Sequence, residues 1–245
     1  MIKYENVELN YGDKKILSDV NLTFEKNKVY GLIGKSGSGK STLLYSIFDW
    51  KIIKAGNLII SNKKNEWTST KEIKTFKNSI SLLEANNNFI DSLTFYENIL
   101  LSYRLYKNYF YKVFKLLTKN QKDYLFDLLK EFGMEEYAFA KISDLSTGQK
   151  QRLAYINAIF NIPDVLLCDE PTSNLDNVNT KLIYESIQRN KQNRITIIAL
   201  HDLDSAIDYC DNIIAIDNGK IEKIFSEKVS NKEQLMEYFD KKTVQ

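Results

Sequence analysis

Histidine is almost absent from this chain. Among 245 residues there is one, His201, so no multi-histidine metal centre can be built from a single copy. There are two cysteines, Cys168 and Cys210. Two are too few for the disulfide framework of a small secreted domain, which points to a reducing compartment. Proline occurs twice, at Pro163 and Pro171, and no proline-rich linker divides the chain. No apolar run approaches the ~20 residues of a membrane span. The opening Met1-Ile2-Lys3-Tyr4-Glu5 has neither the basic region nor the apolar run of a secretory leader. Net charge is nearly nil: 34 Lys+Arg oppose 32 Asp+Glu, a formal +2. That balance makes no electrostatic case for a nucleic-acid binder. A hydrophobic content of 43% with 27% charged residues excludes disorder and a coiled-coil rod, and fits a globular chain long enough to bury its own core.

Glycine is scarce too, at nine residues. A glycine cluster therefore carries information, and three of the nine fall inside Gly34-Lys35-Ser36-Gly37-Ser38-Gly39-Lys40-Ser41-Thr42. This is the phosphate-loop pattern G-x-x-x-x-G-K-[ST]. Backbone N–H groups must turn inward around phosphate oxygens, so side chains must be absent where the backbone turns. An apolar run, Lys28 to Ile33, precedes the loop as a buried strand, and a helix is expected from Lys40 to about Asp49, its positive end toward the anion. In this setting Lys40 neutralises phosphate charge and the Ser41 hydroxyl is a Mg²⁺ ligand.

The rest of the chain alternates strands and helices. Strands are expected over Ile2 to Leu9, Ser18 to Phe24, Gly56 to Ile60, Val165 to Cys168, Ile195 to Leu200, Asn212 to Asp217 and Lys220 to Phe225. Helices are expected over about Val178 to Arg189, Asp202 to Cys210 and Lys232 to Phe239. From about Thr94 to Asp144 the pattern is helical throughout, with Gln121 to Phe132 amphipathic and Gly133 a stop. Strands separated by helices argue for a mainly parallel sheet covered by helices.

Two further segments carry chemistry. Leu166-Leu167-Cys168-Asp169-Glu170 ends an apolar strand in two carboxylates, at the sheet edge where ligands bind in such folds. Asp169 suits Mg²⁺ and Glu170 suits a general base, although the pair also fits the start of a turn at Pro171. Leu145-Ser146-Thr147-Gly148-Gln149 precedes a helical run. Taken alone it fits a capping turn as well as a second anion site.

Together, in this order and spacing, these segments and His201 resemble the ATP-binding cassette (ABC) ATPases, over nearly the whole chain. The specific mark is the signature Leu-Ser-Gly-Gly-Gln, which here reads Leu-Ser-Thr-Gly-Gln. The resemblance implies an α/β phosphate-loop NTPase fold of RecA type. It has a mainly parallel core sheet, an N-terminal antiparallel β subdomain and a helical subdomain inserted at about 86–150, all in one ATPase domain spanning 1–245. It implies that Tyr11 stacks on adenine and that Gly34 to Thr42 hold the phosphates. Ser146, Gly148 and Gln149 of an opposite subunit would meet the γ-phosphate. Glu170 matches the catalytic base, Asp176 the acid of the loop linking the two sites, and His201 the γ-phosphate sensor. Lys40 completes the catalytic set, with Ser41 and Asp169 on Mg²⁺. One departure stands out: Ala85 occupies the position of the family's glutamine, with Glu84 beside it.

The expected function is thus an ATP-binding and ATP-hydrolysing subunit of a membrane transporter, working as a nucleotide-sandwich dimer with ATP and Mg²⁺. Its partners would be transmembrane permease subunits on separate chains and a second ATPase subunit, at the cytoplasmic face of the membrane as a peripheral protein. A non-transport ABC ATPase and an ATP-binding regulatory cassette are the alternatives. Within transporters, the phosphate loop and Pro171-Thr172-Ser173-Asn174-Leu175-Asp176 look most like the branch serving peptide efflux and lipoprotein release.

Overall fold

A computed structural model describes residues 1–60, 70–84, 88–226, 229 and 232–239. Ala85 lies outside the described residues. The chain begins with an antiparallel hairpin, β1 (Ile2–Tyr11) and β2 (Lys14–Phe24). The turn is only Gly12-Asp13, so both strands run closer to it than the expected spans Ile2 to Leu9 and Ser18 to Phe24. β1 alternates: Ile2, Tyr4, Val7 and Leu9 are buried. β4 (Ile53–Ile60) pairs on its other side, giving a three-stranded sheet ordered β2-β1-β4. Register slips between Tyr4 and Val7, where Asn6 takes φ +50°, so the sheet bends across the middle of β1.

β3 (Lys28–Ile33), β5 (Ile80–Leu83), β6 (Val165–Asp169), β7 (Ile195–Ala199), β8 (Asn212–Asp217) and β9 (Lys220–Phe225) form a second sheet in the order β5-β6-β7-β3-β8-β9. All neighbours are parallel except β8 and β9, which are joined through Asn218-Gly219. Its inner strands are apolar without alternation because both faces are covered. Leu166, Cys168 and Ile198 face one cluster. Val165, Leu167, Ile195 and Ile197 face the other. Full burial of each large side chain stabilises the fold by about 1.5–3 kcal/mol.

The helices are α1 (Lys40–Phe48), α2 (Thr70–Asn78), α3 (Phe95–Ser102), α4 (Tyr109–Val113), α5 (Lys119–Glu131), α6 (Thr147–Phe160), α7 (Asn177–Arg189), α8 (Leu203–Tyr209) and α9 (Glu233–Phe239). α1 packs between the core sheet and the three-stranded sheet, while α3, α5, α6, α7 and α8 supply residues to the opposite cluster. α3, α5 and α6 each start with a capping box, at Thr94/Glu97, Thr118/Gln121 and Ser146/Gln149. The expected limit of the helical insertion at residue 150 falls inside α6. That helix is continuous from Thr147 to Phe160 and packs on both α5 and β5. α2 was not legible in the sequence, since its apolar stripe is only Ile73 and Phe76.

Candidate active site

The parallel strands deliver the site from their carboxyl ends. β3 stops at Ile33, and the chain turns at Gly34, where φ is +147°. A Cβ there would lie 2.1 Å from the Ile216 carbonyl oxygen of β8, so only glycine fits. Gly37 differs: φ is +77° with nothing within 4 Å of a would-be Cβ, so its demand is conformational and the space beside it is open. The Lys40 side chain folds back into the loop. Its ammonium donates to the carbonyls of Gly34 at 2.7 Å and Lys35 at 3.1 Å. Burial holds its pKa below the ordinary lysine value, with Glu170 and Asp169 pulling the other way. The Ser38 hydroxyl is buried with no partner among the described residues, a polar atom left unsatisfied inside the loop.

On the first turn of α1, the Ser41 hydroxyl donates to Asp169 Oδ1 at 3.0 Å. This joins the phosphate loop to the end of β6, two strands away in the sheet. Burial raises the Asp169 pKa, and the Ser41 hydrogen bond only partly offsets it. The next residue, Glu170, has a left-handed backbone with φ +53°. Its N–H donates to Ala199 O of β7 at 3.1 Å. Its carboxylate is hydrogen-bonded to His201 Nε2, just beyond the end of β7. Ser36, Lys40, Ser41, Glu170 and His201, with Ile16 from β2, line a cavity of about 300 Å³.

Tyr45 is a site residue that motif reading missed. It lies one helical turn after Ser41, and its hydroxyl donates to Glu84 Oε1 at 2.9 Å. Its pKa is raised by burial, by Glu84 and by Asp169. Glu84 also accepts from Asn88. Glu84 thus reaches the Ser41–Asp169 pair through Tyr45. Gln151 was missed as well: buried in α6, it donates to Pro171 O at 2.9 Å and ties the helix to the loop after Glu170.

Other expected site residues lie elsewhere. Tyr11 is 66% exposed and does not line the cavity, although Lys14 and Ile16 across its hairpin do. Ser146, Gly148 and Gln149 do not line it either. Ser146 and Gln149 close the capping box of α6, with Ser146 N–H donating to Gln149 Oε1 at 2.8 Å. Gly148 packs on the Ser173–Asp176 loop, where a Cβ would sit 3.4 Å from Asn174 O. Asp176 caps α7, and hydrogen bonds from Asn179 hold its carboxyl below the ordinary aspartate value.

Residues 17–173 match the ABC transporter family, which is more than half of the chain. The chain belongs to this family. Among curated ABC proteins, the phosphonates import ATP-binding protein of Fusobacterium nucleatum is 31% identical over 223 residues, covering 90% of each chain. That of Treponema denticola is 32% identical over 231 residues, covering 90% of this chain and 88% of the other. The methionine import ATP-binding protein of Clostridium tetani is 32% identical, covering 90% of this chain and 68% of its own length. A solved dimeric ATP-binding cassette in a post-hydrolysis state, bound to ADP and Pi, superposes with a TM-score of 0.76 at 27% identity, over 94% of this chain and all of the other. A second structure, an ATP-binding subunit of an ABC transporter, reaches a TM-score of 0.80 over 96% of this chain. At 20% identity it speaks for the fold alone. The chain is an ATP-binding ABC transporter subunit and an ATPase. One expectation is corrected: these relatives are import proteins, not members of the peptide-efflux and lipoprotein-release branch.

Proposed function

We propose that this chain energises an ABC importer, and that two copies facing opposite ways enclose two ATP molecules. The observation that carries the reading is the cavity in which a buried lysine, a Ser–Asp pair and a Glu–His pair converge, while Ser146 and Gly148 lie outside it. A signature segment that cannot serve its own chain's cavity is available to a second copy.

The residues fit a small hard divalent cation. A serine hydroxyl and a carboxylate already face one another, and oxygen donors of this kind suit Mg²⁺. Ser41 and Asp169 would hold it, and once bound it would neutralise charge on the transferring phosphate. The chain's own residues do the rest. Lys40 exchanges its two carbonyl partners for phosphate oxygens. Loop N–H groups and the α1 terminus orient the triphosphate. Glu170 accepts the proton of the attacking water, and His201 positions the Glu170 carboxylate and senses the γ-phosphate. Glu84, acting through Tyr45, fills the place of the glutamine that the sequence lacks at Ala85. Loss of the shared γ-phosphate on hydrolysis lets the copies open, a two-state switch biased by the nucleotide. Among the described residues no helix is long and apolar enough to cross a membrane, so separate permease chains would carry the solute past the peripheral ATPase. The import direction is supported by the named relatives. A regulatory cassette without turnover is disfavoured by the Glu170–His201 contact, which such a protein would not use.

The test is Glu170→Gln. ATP binding should persist, turnover should fall by at least about 100-fold, and an ATP-bound dimer should accumulate on size-exclusion chromatography. Undiminished turnover would remove Glu170 from the base role.

A further inference from the structure

We propose that residues 105–116, centred on α4, form a lipid-docking element that seats on an anionic membrane surface. The idea relies on the transporter reading only for placing the protein near a bilayer. It starts from charge. The chain carries 32 Asp+Glu, yet none lies between Glu97 and Asp123. That interval holds Arg104 and the lysines Lys107, Lys112, Lys115, Lys119 and Lys122, while the whole chain is only +2, so the remainder is net acidic. Arg104 turns inward, where its guanidinium donates to the carbonyls of Lys77, Asn78 and Ile80. The five lysines are exposed, and none is in an ion pair among the described residues. Two of them, Lys119 and Lys122, lie near the start of α5, whose first turn holds no acidic residue to answer the positive end of the helix. Local stability argues against cations there.

The second observation is apolar. Tyr109 is 82% exposed, Phe110 58% and Phe114 61%, and Leu105, Val113 and Leu116 are exposed around them. Tyr109 and Val113 share one face of α4, and Phe110 lies four residues before Phe114, which caps the helix. The Phe110 and Phe114 ring centroids are 4.6 Å apart. Lys115, a non-glycine residue at φ +50°, closes the helix, and Leu116 N–H bonds back to Tyr111 O at 2.8 Å. This fold-back keeps the aromatic pair at the surface. Aromatics ringed by lysines are the composition of interfacial membrane helices, which insert apolar side chains at the headgroup level and attract anionic lipid. The cores of protein–protein interfaces are instead depleted in lysine. The unpaired charges therefore favour lipid over a permease surface.

The experiment is co-sedimentation of the full chain with vesicles of phosphatidylcholine alone or mixed with phosphatidylglycerol, at low and physiological salt. Binding is expected only with phosphatidylglycerol and should weaken with salt. Lys112→Ala with Lys115→Ala should lower the partition coefficient about 30-fold. Phe110→Ser with Phe114→Ser should lower it at least about tenfold. Lys220→Ala with Lys223→Ala on β9 should leave it unchanged. ATP turnover without vesicles is read on the same samples and should be equal in all, which also reports folding. The proposal is overturned if the wild-type chain stays in the supernatant at low salt. It is equally overturned if the α4 variants sediment like wild type, or if they lose capture by the co-expressed permease in detergent while keeping vesicle binding. With turnover intact, these outcomes leave the ATPase reading standing.

Discussion

Asp169 and Glu170 are adjacent carboxylates given different tasks by their surroundings. Glu170 sits on a left-handed backbone that costs a non-glycine residue about 1–3 kcal/mol, tolerated because its N–H is anchored to β7. Asp169 is held against Ser41 in a partly desolvated place that raises its pKa. The sign follows from linkage. Because its folded pKa is raised, the native state binds the proton more tightly than the unfolded chain does. Stability is therefore lost as pH climbs from the ordinary carboxylate range, about 4, through the raised value. Asp169→Asn keeps an acceptor for Ser41 and removes the charge. In thermal melts of nucleotide-free protein it should match wild type under acid conditions and melt higher at neutral pH, while Mg²⁺-dependent turnover is lost. A lower melting temperature at neutral pH would show that the carboxylate is satisfied without a cation.

At the scale of elements, α6 does two jobs. Its capping box satisfies its own terminal N–H groups, and the same turn is the signature segment. Substitution at Ser146 therefore confounds stability with function unless the two are separated. Ser146→Ala should cost about 1 kcal/mol, read as a lower midpoint in urea. Ser146→Asp restores a good cap and should recover most of that midpoint. It also sets a negative charge where a second copy's γ-phosphate is proposed to sit, so ATP-driven dimerisation should remain abolished. Recovery of both properties by Asp would place the signature turn away from the nucleotide.

Across the whole molecule, packing makes both thiols inert. Cys168 is fully buried between helices and sheet, and burial pushes its pKa up to about 12. Cys210 is buried against Gly31, whose would-be Cβ lies 2.7 Å from its Sγ, and its pKa is raised in the same way. The native protein at neutral pH should resist iodoacetamide, and both thiols should react together in the urea transition. Labelling of one thiol below that transition would reveal partial opening of the parallel sheet. This whole-molecule packing is also where reading from the sequence ran out. The phosphate loop, the Asp169-Glu170 pair, His201 and the helices α1, α5, α6, α7, α8 and α9 were legible, because each depends on local periodicity or on a residue type that a turn or a phosphate demands, whereas α3 and α4 were read only as part of one helical stretch. Tyr45 carried no signal beyond its place one turn after Ser41. Its partner Glu84 lies far along the chain, and only the pairing of β5 with β6 brings that strand end to the site.

By itself, the amino-acid order determined a mixed strand and helix chain with a phosphate-binding loop, since backbone sterics and short-range hydrogen bonding set both. The tertiary structure decided which strand ends meet at the cavity, that Ser146 and Gly148 lie outside it, and that α4 shows its aromatics to solvent. Those outcomes depend on contacts between residues distant in the chain, where loop-closure entropy and burial compete and local pattern is silent.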